Sequence, residues 1–313
     1  MVRTPVLGEQ LVAAAARHGV DAVAASDAEA LHTELADADA LWVWPAFYDP
    51  ALVEALTRSM PRLRWLQVLT MGYDPLVAHG VPAGLVVTNA GDAYAPTVAE
   101  HAVTTLAALV RRLPEMLANA AASKWDQSVA GRIGTLNDAT IAVLGFGNIG
   151  KEIAVRLRAF GARVVAVTRS GRADPLAHES VTADRLHDVL GRVDAVIVAV
   201  PLDGATRHMI DASALAALRP HALLVNIARG GIVDTAALRD ALAAGRLAGA
   251  ALDVTDPEPL PAEDPLWTMP NVIVTPHVAG YGGDTPARRV LALLDRNLRH
   301  FLAAEPLEAQ ISV

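Results

Sequence analysis

The stretch Thr140–Gly150, TIAVLGFGNIG, decides the fold. Its first five residues, Thr140–Leu144, form a short apolar run of the kind that makes a buried strand. A glycine turn follows. The segment Ile149–Phe160 then repeats apolar residues at helical spacing and runs into a second β-branched stretch, Arg163–Thr168 (RVVAVT). Gly145, Gly147 and Gly150 stand in the spacing G-x-G-x-x-G inside this strand–helix–strand unit. A cluster of loop glycines is the plainer reading, but the strand before and the helix after are the context that makes the pattern specific. Gly145 permits the tight turn, Gly147 lets the backbone approach a pyrophosphate, and Gly150 lets helix and strand pack closely. Asn148 and Ile149 open the helix, whose free N–H groups suit phosphate.

Working outward, further short apolar runs follow at Ala195–Val200, Ala222–Ile227, Ala248–Val254 and Val272–Thr275, most of them separated by helical segments. That rhythm predicts an α/β fold with a doubly wound parallel sheet. Toward the N-terminus the same alternation returns. Ala40–Trp44, Trp65–Thr70 and Leu85–Thr88 read as strands, Glu9–His18 and Pro50–Arg58 as helices, and the first strand of this unit as short or lost. Thr97–Leu117 reads as one long helix and Ala287–Ala304 as a last amphipathic one.

The chain has 313 residues, 53% of them hydrophobic and 19% charged, enough for two domains of ordinary size and too apolar for disorder. It has no cysteine, which excludes disulfides, thiolate metal sites and a cysteine nucleophile. A net charge of −8 does not fit a nucleic-acid binder. No apolar run reaches membrane-spanning length and no targeting segment is evident, so a soluble, cytoplasmic protein is expected. No metal-ligand spacing is evident either, and His101 reads as a surface or interdomain histidine. Only Lys124 and Lys151 are lysine; the abundance of arginine raises the bar for assigning a role to any one of them.

The end of the second strand bears on which dinucleotide binds. An acidic residue there would accept a hydrogen bond from the ribose 2′-hydroxyl. Instead the chain carries Thr168, Arg169, Ser170, Gly171 and Arg172, and Asp174 comes too late. Two arginines and two hydroxyls suit a 2′-phosphate, so NADP(H) is favoured over NAD(H).

Three later segments, NIARGGIVD (226–234), ALDVTDPEPL (251–260) and TPHVAG (275–280), follow the glycine motif in this order. With WLQVLTMGYD (65–74) and NAGDAYAPTVAEHAV (89–103), they resemble the D-isomer-specific 2-hydroxyacid dehydrogenase family across essentially the whole chain. The resemblance implies two Rossmann-like domains with an active site between them. The coenzyme domain, 98–285, is inserted into a substrate domain of 1–97 plus 286–313. It also implies a catalytic triad of Arg229, Glu258 and His277, a glyoxylate or hydroxypyruvate reductase activity, and a homodimer built through the coenzyme domains, with Trp125 read as a packing residue at the contact.

The chemistry supports the triad independently. Reducing a small 2-keto acid needs a carboxylate anchor, a proton donor and a hydride. Arg229 can grip a carboxylate with its planar fork, His277 can give the proton, and Glu258 on the other ring nitrogen would favour the charged ring and fix its orientation. Singly, each has an ordinary structural reading; together at strand ends they make a site. By the same resemblance Met71, Gly72 and Tyr73 bind the substrate carboxylate, although Tyr73 stands where a small aliphatic residue is common. Val200 and Pro201 lie against the cofactor. Asp253 matches an acidic position near the nicotinamide amide, a strand-end cap being its alternative role. A nucleotide-sensing corepressor like the C-terminal-binding proteins is the rival of another class; the lack of an interaction tail favours an enzyme. Formate dehydrogenase relatives carry Gln at the position of Glu258, phosphoglycerate dehydrogenases often carry a C-terminal regulatory domain, and phosphonate dehydrogenases share the triad.

Overall fold

The β-branched runs fold as parallel strands covered on both faces. The computed structural model describes residues 2–3, 8–25, 37–59 and 62–313. The chain divides into two units, Met1–Tyr94 with Gly282–Val313, and Ala95–Tyr281.

In the first unit, among the described residues, β1 (Val2–Arg3), β2 (Ala40–Val43), β3 (Trp65–Val68) and β4 (Val86–Thr88) lie side by side in that order, all parallel. Alternate side chains leave opposite faces of a strand. Leu41, Val43, Leu66 and Val68 accordingly join Leu52 and Leu56 of helix α2 (Pro50–Ser59) in one cluster. Trp42 and Trp65 join Leu11 of α1 (Gly8–Ala16) and Val290, Leu294 and Leu298 of the C-terminal helix α10 (Asp284–Leu302) in another. A short helix, α3 (Asp74–His79), follows β3. Gln67 is fully buried in β3, where Thr88 donates to its Oε1 at 2.7 Å and its own amide donates to the Val68 carbonyl.

The second unit holds a seven-stranded parallel sheet. Its strands are β5 (Thr140–Leu144), β6 (Arg163–Thr168), β7 (Glu179–Thr182), β8 (Ala195–Val198), β9 (Leu223–Asn226), β10 (Gly249–Leu252) and β11 (Val272–Val274). Their spatial order is β11-β10-β9-β8-β5-β6-β7. Strand order therefore reverses between β5 and β8, which opens a crevice at their carboxyl ends. Buried Val143, Val165, Ile197 and Val225 show why the strands read as unbroken apolar runs: both faces are covered. Helices α6 (Asn148–Ala159) and α4 (Ala95–Val110) pack together, and α4 also lies on β9 and β10. The helices α5 (Leu113–Ala121), α7 (Leu186–Leu190), α8 (Ala212–Ala217) and α9 (Thr235–Ala243) complete the unit.

Two local features differ from the sequence reading. The helix expected over 97–117 is two, α4 and α5 (Leu113–Ala121). Pro114 would clash with the carbonyl four residues back, that of Val110, where α4 ends. Arg112 takes a left-handed φ of 56° between them, and Gly134 N–H donates to the freed Val110 carbonyl at 2.9 Å. β7 was not anticipated because it is a polar edge strand, ESVT, of which only Val181 is buried.

Candidate active site

The glycine turn after β5 is shaped by contacts on two sides. Gly145 has φ +88°, and its N–H donates to the Val167 carbonyl at 2.9 Å. A Cβ there would stand 2.5 Å from the Ala199 carbonyl oxygen, and one on Gly150 would stand 2.2 Å from the Gly145 carbonyl oxygen. A Cβ on Gly147 would meet nothing within 4 Å. Two glycines are thus filled around and the middle one faces open space at the N-terminus of α6, beside Asn148 and Ile149. This fits a turn that admits a pyrophosphate.

At the end of β6 the Thr168 hydroxyl accepts the Gly171 N–H at 3.0 Å, and Ser170 Oγ accepts that of Arg172 at 3.3 Å. These bonds curl the loop while leaving Arg169, Ser170 and Arg172 exposed. Beyond β8, Val200 is partly buried against the core and the Pro201 carbonyl accepts the Thr206 hydroxyl at 2.6 Å. Asp203 follows. Its carboxyl is held below the usual range, first by the Ala205 N–H, then by Thr206 and, more weakly, by the charge of Arg169.

Arg229, Glu258 and His277 follow β9, β10 and β11, three neighbouring strands, at their carboxyl ends. Arg229 is half-buried with an extended backbone, and its Nη1 donates to the Ala228 carbonyl at 2.6 Å. The Asn226 amide donates to the Arg229 carbonyl at 2.9 Å. The next residue, Gly230, packs so tightly on the loop after β10 that a Cβ would stand 1.9 Å from the Thr255 carbonyl oxygen. The loops bearing Arg229 and Glu258 are therefore in direct contact. His277 Nδ1 lies 2.6 Å from Glu258 Oε1, with both side chains half-exposed. With Nδ1 committed to the carboxylate, Nε2 is the nitrogen left for a reacting partner.

His277 has φ +54°, a left-handed conformation that costs a residue with a side chain and persists only where its surroundings enforce it. Asp253 enforces it. Its carbonyl accepts the His277 N–H at 2.8 Å. Its carboxylate Oδ1 accepts the Thr275 hydroxyl at 2.6 Å and the Val278 N–H at 2.9 Å, and Oδ2 accepts the Ala279 N–H at 2.9 Å. The side chain is 1% exposed. Behind it stands His101 of α4, which is half-buried, not at the surface, with Nε2 3.1 Å from Thr275 Oγ1 and 3.6 Å from Asp253 Oδ1. The sequence carried one signal for it: on a helix His101 shares its face with Val98 and Thr105, both buried.

The segment Met71–Tyr73 lies in the other unit, after β3. The Asn89 amide donates to the Met71 carbonyl at 2.9 Å and the Thr70 hydroxyl to the Gly72 carbonyl at 2.7 Å. Tyr73 packs partly against that unit's core and precedes α3. Among the described residues, no group of three or more His, Asp or Glu is arranged to hold a metal, and no helix is long and apolar enough to cross a membrane.

Residues 103–279 match the family model "D-isomer specific 2-hydroxyacid dehydrogenase, NAD binding domain", and residues 4–133 match "D-isomer specific 2-hydroxyacid dehydrogenase, catalytic domain". A glyoxylate reductase of Thermococcus kodakarensis is 37% identical over 266 residues, 79% of this chain and 76% of that protein. The chain is also similar to two solved structures. One is an NADPH-dependent glyoxylate/hydroxypyruvate reductase of Sinorhizobium meliloti in complex with NADP and sulfate, at a TM-score of 0.85, 26% identity and coverage of 99% and 97% of the two chains. The other is an NAD-dependent formate dehydrogenase of Staphylococcus aureus in complex with NAD, at a TM-score of 0.75, 28% identity and coverage of 97% and 92%.

Proposed function

Since the chain belongs to the D-isomer specific 2-hydroxyacid dehydrogenase family, and so is an NAD(P)-dependent oxidoreductase, we propose that it reduces a small 2-keto acid, glyoxylate or hydroxypyruvate, and prefers NADPH to NADH. The observation that carries this reading is the 2.6 Å contact of His277 with Glu258, at a strand end next to that of Arg229.

The residues fit the dinucleotide. The turn of Gly145, Gly147 and Gly150, with Asn148 and Ile149, would hold its pyrophosphate, Arg169 and Arg172 with Thr168 and Ser170 a 2′-phosphate, and Val200 and Pro201 would flank it. When bound, it supplies the hydride that reaches the keto carbon. Arg229 grips the substrate carboxylate and draws electron density toward the ketone oxygen. His277 Nε2–H gives its proton to that oxygen as the hydroxyl forms. Glu258 holds the ring in the orientation that makes this transfer direct. By the family resemblance the backbone N–H groups of Met71, Gly72 and Tyr73 would add a second hold on the carboxylate. The coenzyme role falls to 98–285 and the substrate role to 1–97 with 286–313.

The glyoxylate reductase relative supports the substrate class, and the NADPH-dependent reductase of similar fold supports the cofactor choice. Leu113, Leu117 and Trp125 are exposed near one another in sequence, Trp125 at 91%, which supports a homodimer joined at this apolar surface. The test is a panel of 2-keto acids, with formate for comparison, assayed at 340 nm with NADPH and NADH, with His277→Ala as control. Glyoxylate or hydroxypyruvate with NADPH should give the highest kcat/KM, and His277→Ala should lose most of the rate while still binding NADPH. No turnover of any 2-keto acid, or equal use of both dinucleotides, would overturn the corresponding half of the reading.

A further inference from the structure

The left-handed turn at His277 hangs on one carboxylate, and that carboxylate has a second support outside the turn. Asp253 Oδ1 and Thr275 Oγ1 are 2.6 Å apart. A hydroxyl has one proton to give. Given to the carboxylate, it leaves Thr275 Oγ1 as an acceptor toward its other neighbour, His101 Nε2, at 3.1 Å. The chain of donors therefore runs from His101 Nε2–H to Thr275 Oγ1, and from Thr275 O–H to Asp253 Oδ1. The same imidazole edge lies 3.6 Å from Asp253 Oδ1.

Asp253 spends its remaining capacity on the turn itself, accepting the N–H groups of Val278 and Ala279, while its main-chain carbonyl accepts that of His277. Thr275 and Val278 thus converge on one oxygen from either side of His277. His101 comes from elsewhere: it lies on α4, 174 residues away in sequence, on a helix packed against β9 and β10. It is the link by which the rigid helix, and not only the loop's own hydrogen bonds, fixes where Asp253 stands. Buried polar networks of this kind specify one geometry when every member is satisfied, and leave an uncompensated group when one is removed.

We propose that His101 is a positioning residue for the reduction: through the Thr275 hydroxyl it holds the Asp253 carboxylate, and so the left-handed turn that presents His277. This rests on the reductase reading for its link to turnover, but not for its link to the turn. Among the described residues the side-chain partners of His101 are Thr275 and Asp253, not the Glu258–His277 pair or the glycine turn, so dinucleotide binding is expected to survive its loss.

Three single variants and one double variant test this, first by kinetics with dinucleotide binding and then by hydrogen exchange. His101→Leu removes the donor, His101→Gln places an amide N–H near the position of Nε2, and Thr275→Val removes the relay hydroxyl with little change of shape. Displacing a catalytic group by a fraction of an ångström to an ångström lowers turnover steeply, so His101→Leu should lower kcat for the best 2-keto acid about 10- to 100-fold. The Kd for NADPH should stay near the wild-type value, and His101→Gln should recover much of the loss. Thr275→Val should reproduce the effect, and His101→Leu combined with Thr275→Val should be no worse than either alone, because both break one chain. The second readout needs no substrate. Hydrogen–deuterium exchange of the peptide spanning 275–281 should be faster in His101→Leu and Thr275→Val than in wild type, and restored in His101→Gln. Unchanged exchange, or normal kcat in His101→Leu, overturns the proposal, as does an additive double variant. A wild-type protein inert toward every 2-keto acid overturns the reductase reading instead, and the exchange measurement still decides whether His101 holds the turn.

Discussion

Gly147 and Gly150 differ in what surrounds them, and that difference separates folding from dinucleotide binding in two single substitutions. In Gly150→Ala the new Cβ would stand 2.2 Å from the Gly145 carbonyl oxygen and 3.1 Å from its carbon, both backbone atoms that cannot swing away. The turn or α6 must shift, at about 1–3 kcal/mol for overpacking of this kind. Alanine within a helix recovers about 0.5–1 kcal/mol over glycine, too little to reverse the sign. In Gly147→Ala the new Cβ meets no protein atom within 4 Å, and the backbone angles there, φ −77° and ψ −156°, are open to alanine. Reduced freedom of the unfolded chain should leave this variant equal to wild type or more stable by about 0.4–1 kcal/mol.

Binding should follow the opposite order of cause. The space that Gly147 leaves open is the space the pyrophosphate needs, so its methyl group displaces the ligand from the N–H groups at the start of α6. Losing one hydrogen bond to a charged group costs about 1.5–3 kcal/mol, which weakens Kd about 10- to 150-fold. NADPH affinity by fluorescence titration and thermal unfolding by calorimetry read the two effects separately. Gly147→Ala should keep or raise Tm while losing affinity. Gly150→Ala should lower Tm by several degrees, at roughly 2–4 °C per kcal/mol for a unit of this size. If Gly147→Ala binds NADPH within about threefold of wild type, a change of under 1 kcal/mol, the glycine turn does not cradle the pyrophosphate.

Arg229→Lys keeps the charge but loses the planar fork, so KM for the keto acid should rise sharply while NADPH affinity is retained; an unchanged KM removes Arg229 as the anchor. Arg169→Ala should erase about 1.5–3 kcal/mol of the preference for NADPH, read as the ratio of kcat/KM values for the two dinucleotides; a ratio that does not move assigns the preference elsewhere. Arg192 grips Glu179 with two hydrogen bonds, of 2.5 and 2.9 Å, and holds its carboxyl below the usual range. The pair's stabilisation is then present above the unfolded carboxylate value of about 4.3 and lost as pH falls through the lower folded one. Glu179→Gln should accordingly cost up to about 1 kcal/mol near neutrality, the upper range for a partly exposed pair, and the difference should vanish in acid; calorimetry at both pH values checks it.

Much of the fold was legible because its strands are buried on both faces and so stand out as apolar runs between helices. β5 and β6 were read with their observed limits, Thr140–Leu144 and Arg163–Thr168. β7 was missed for the converse reason: an edge strand with one buried residue carries no such run. The break between α4 and α5 was written in Pro114, but the Ala- and Leu-rich pattern resumes just beyond Arg111 and Arg112 and masks it.

The candidate site was legible as residue types and illegible as geometry, and Asp253 shows why. From sequence it could be read as a cofactor contact or as a strand-end cap. Which oxygen meets which donor depends on Thr275, Val278 and Ala279 returning to it from the next strand, a contact more than twenty residues away along the chain. The left-handed φ of His277 is likewise invisible, because a histidine after a proline does not require it; three N–H groups and a hydroxyl of the turn converge on Asp253 and hold it. His101 lies one step further out. On its helix it is a polar residue beside an apolar face, and only the fold brings its Nε2 to Thr275. Residues that touch substrate recur in compact motifs because the chemistry demands their type, whereas residues that aim them need only reach the right atom. The latter are therefore found from distances, and in this chain the distances lead from His277 through Asp253 and Thr275 to His101.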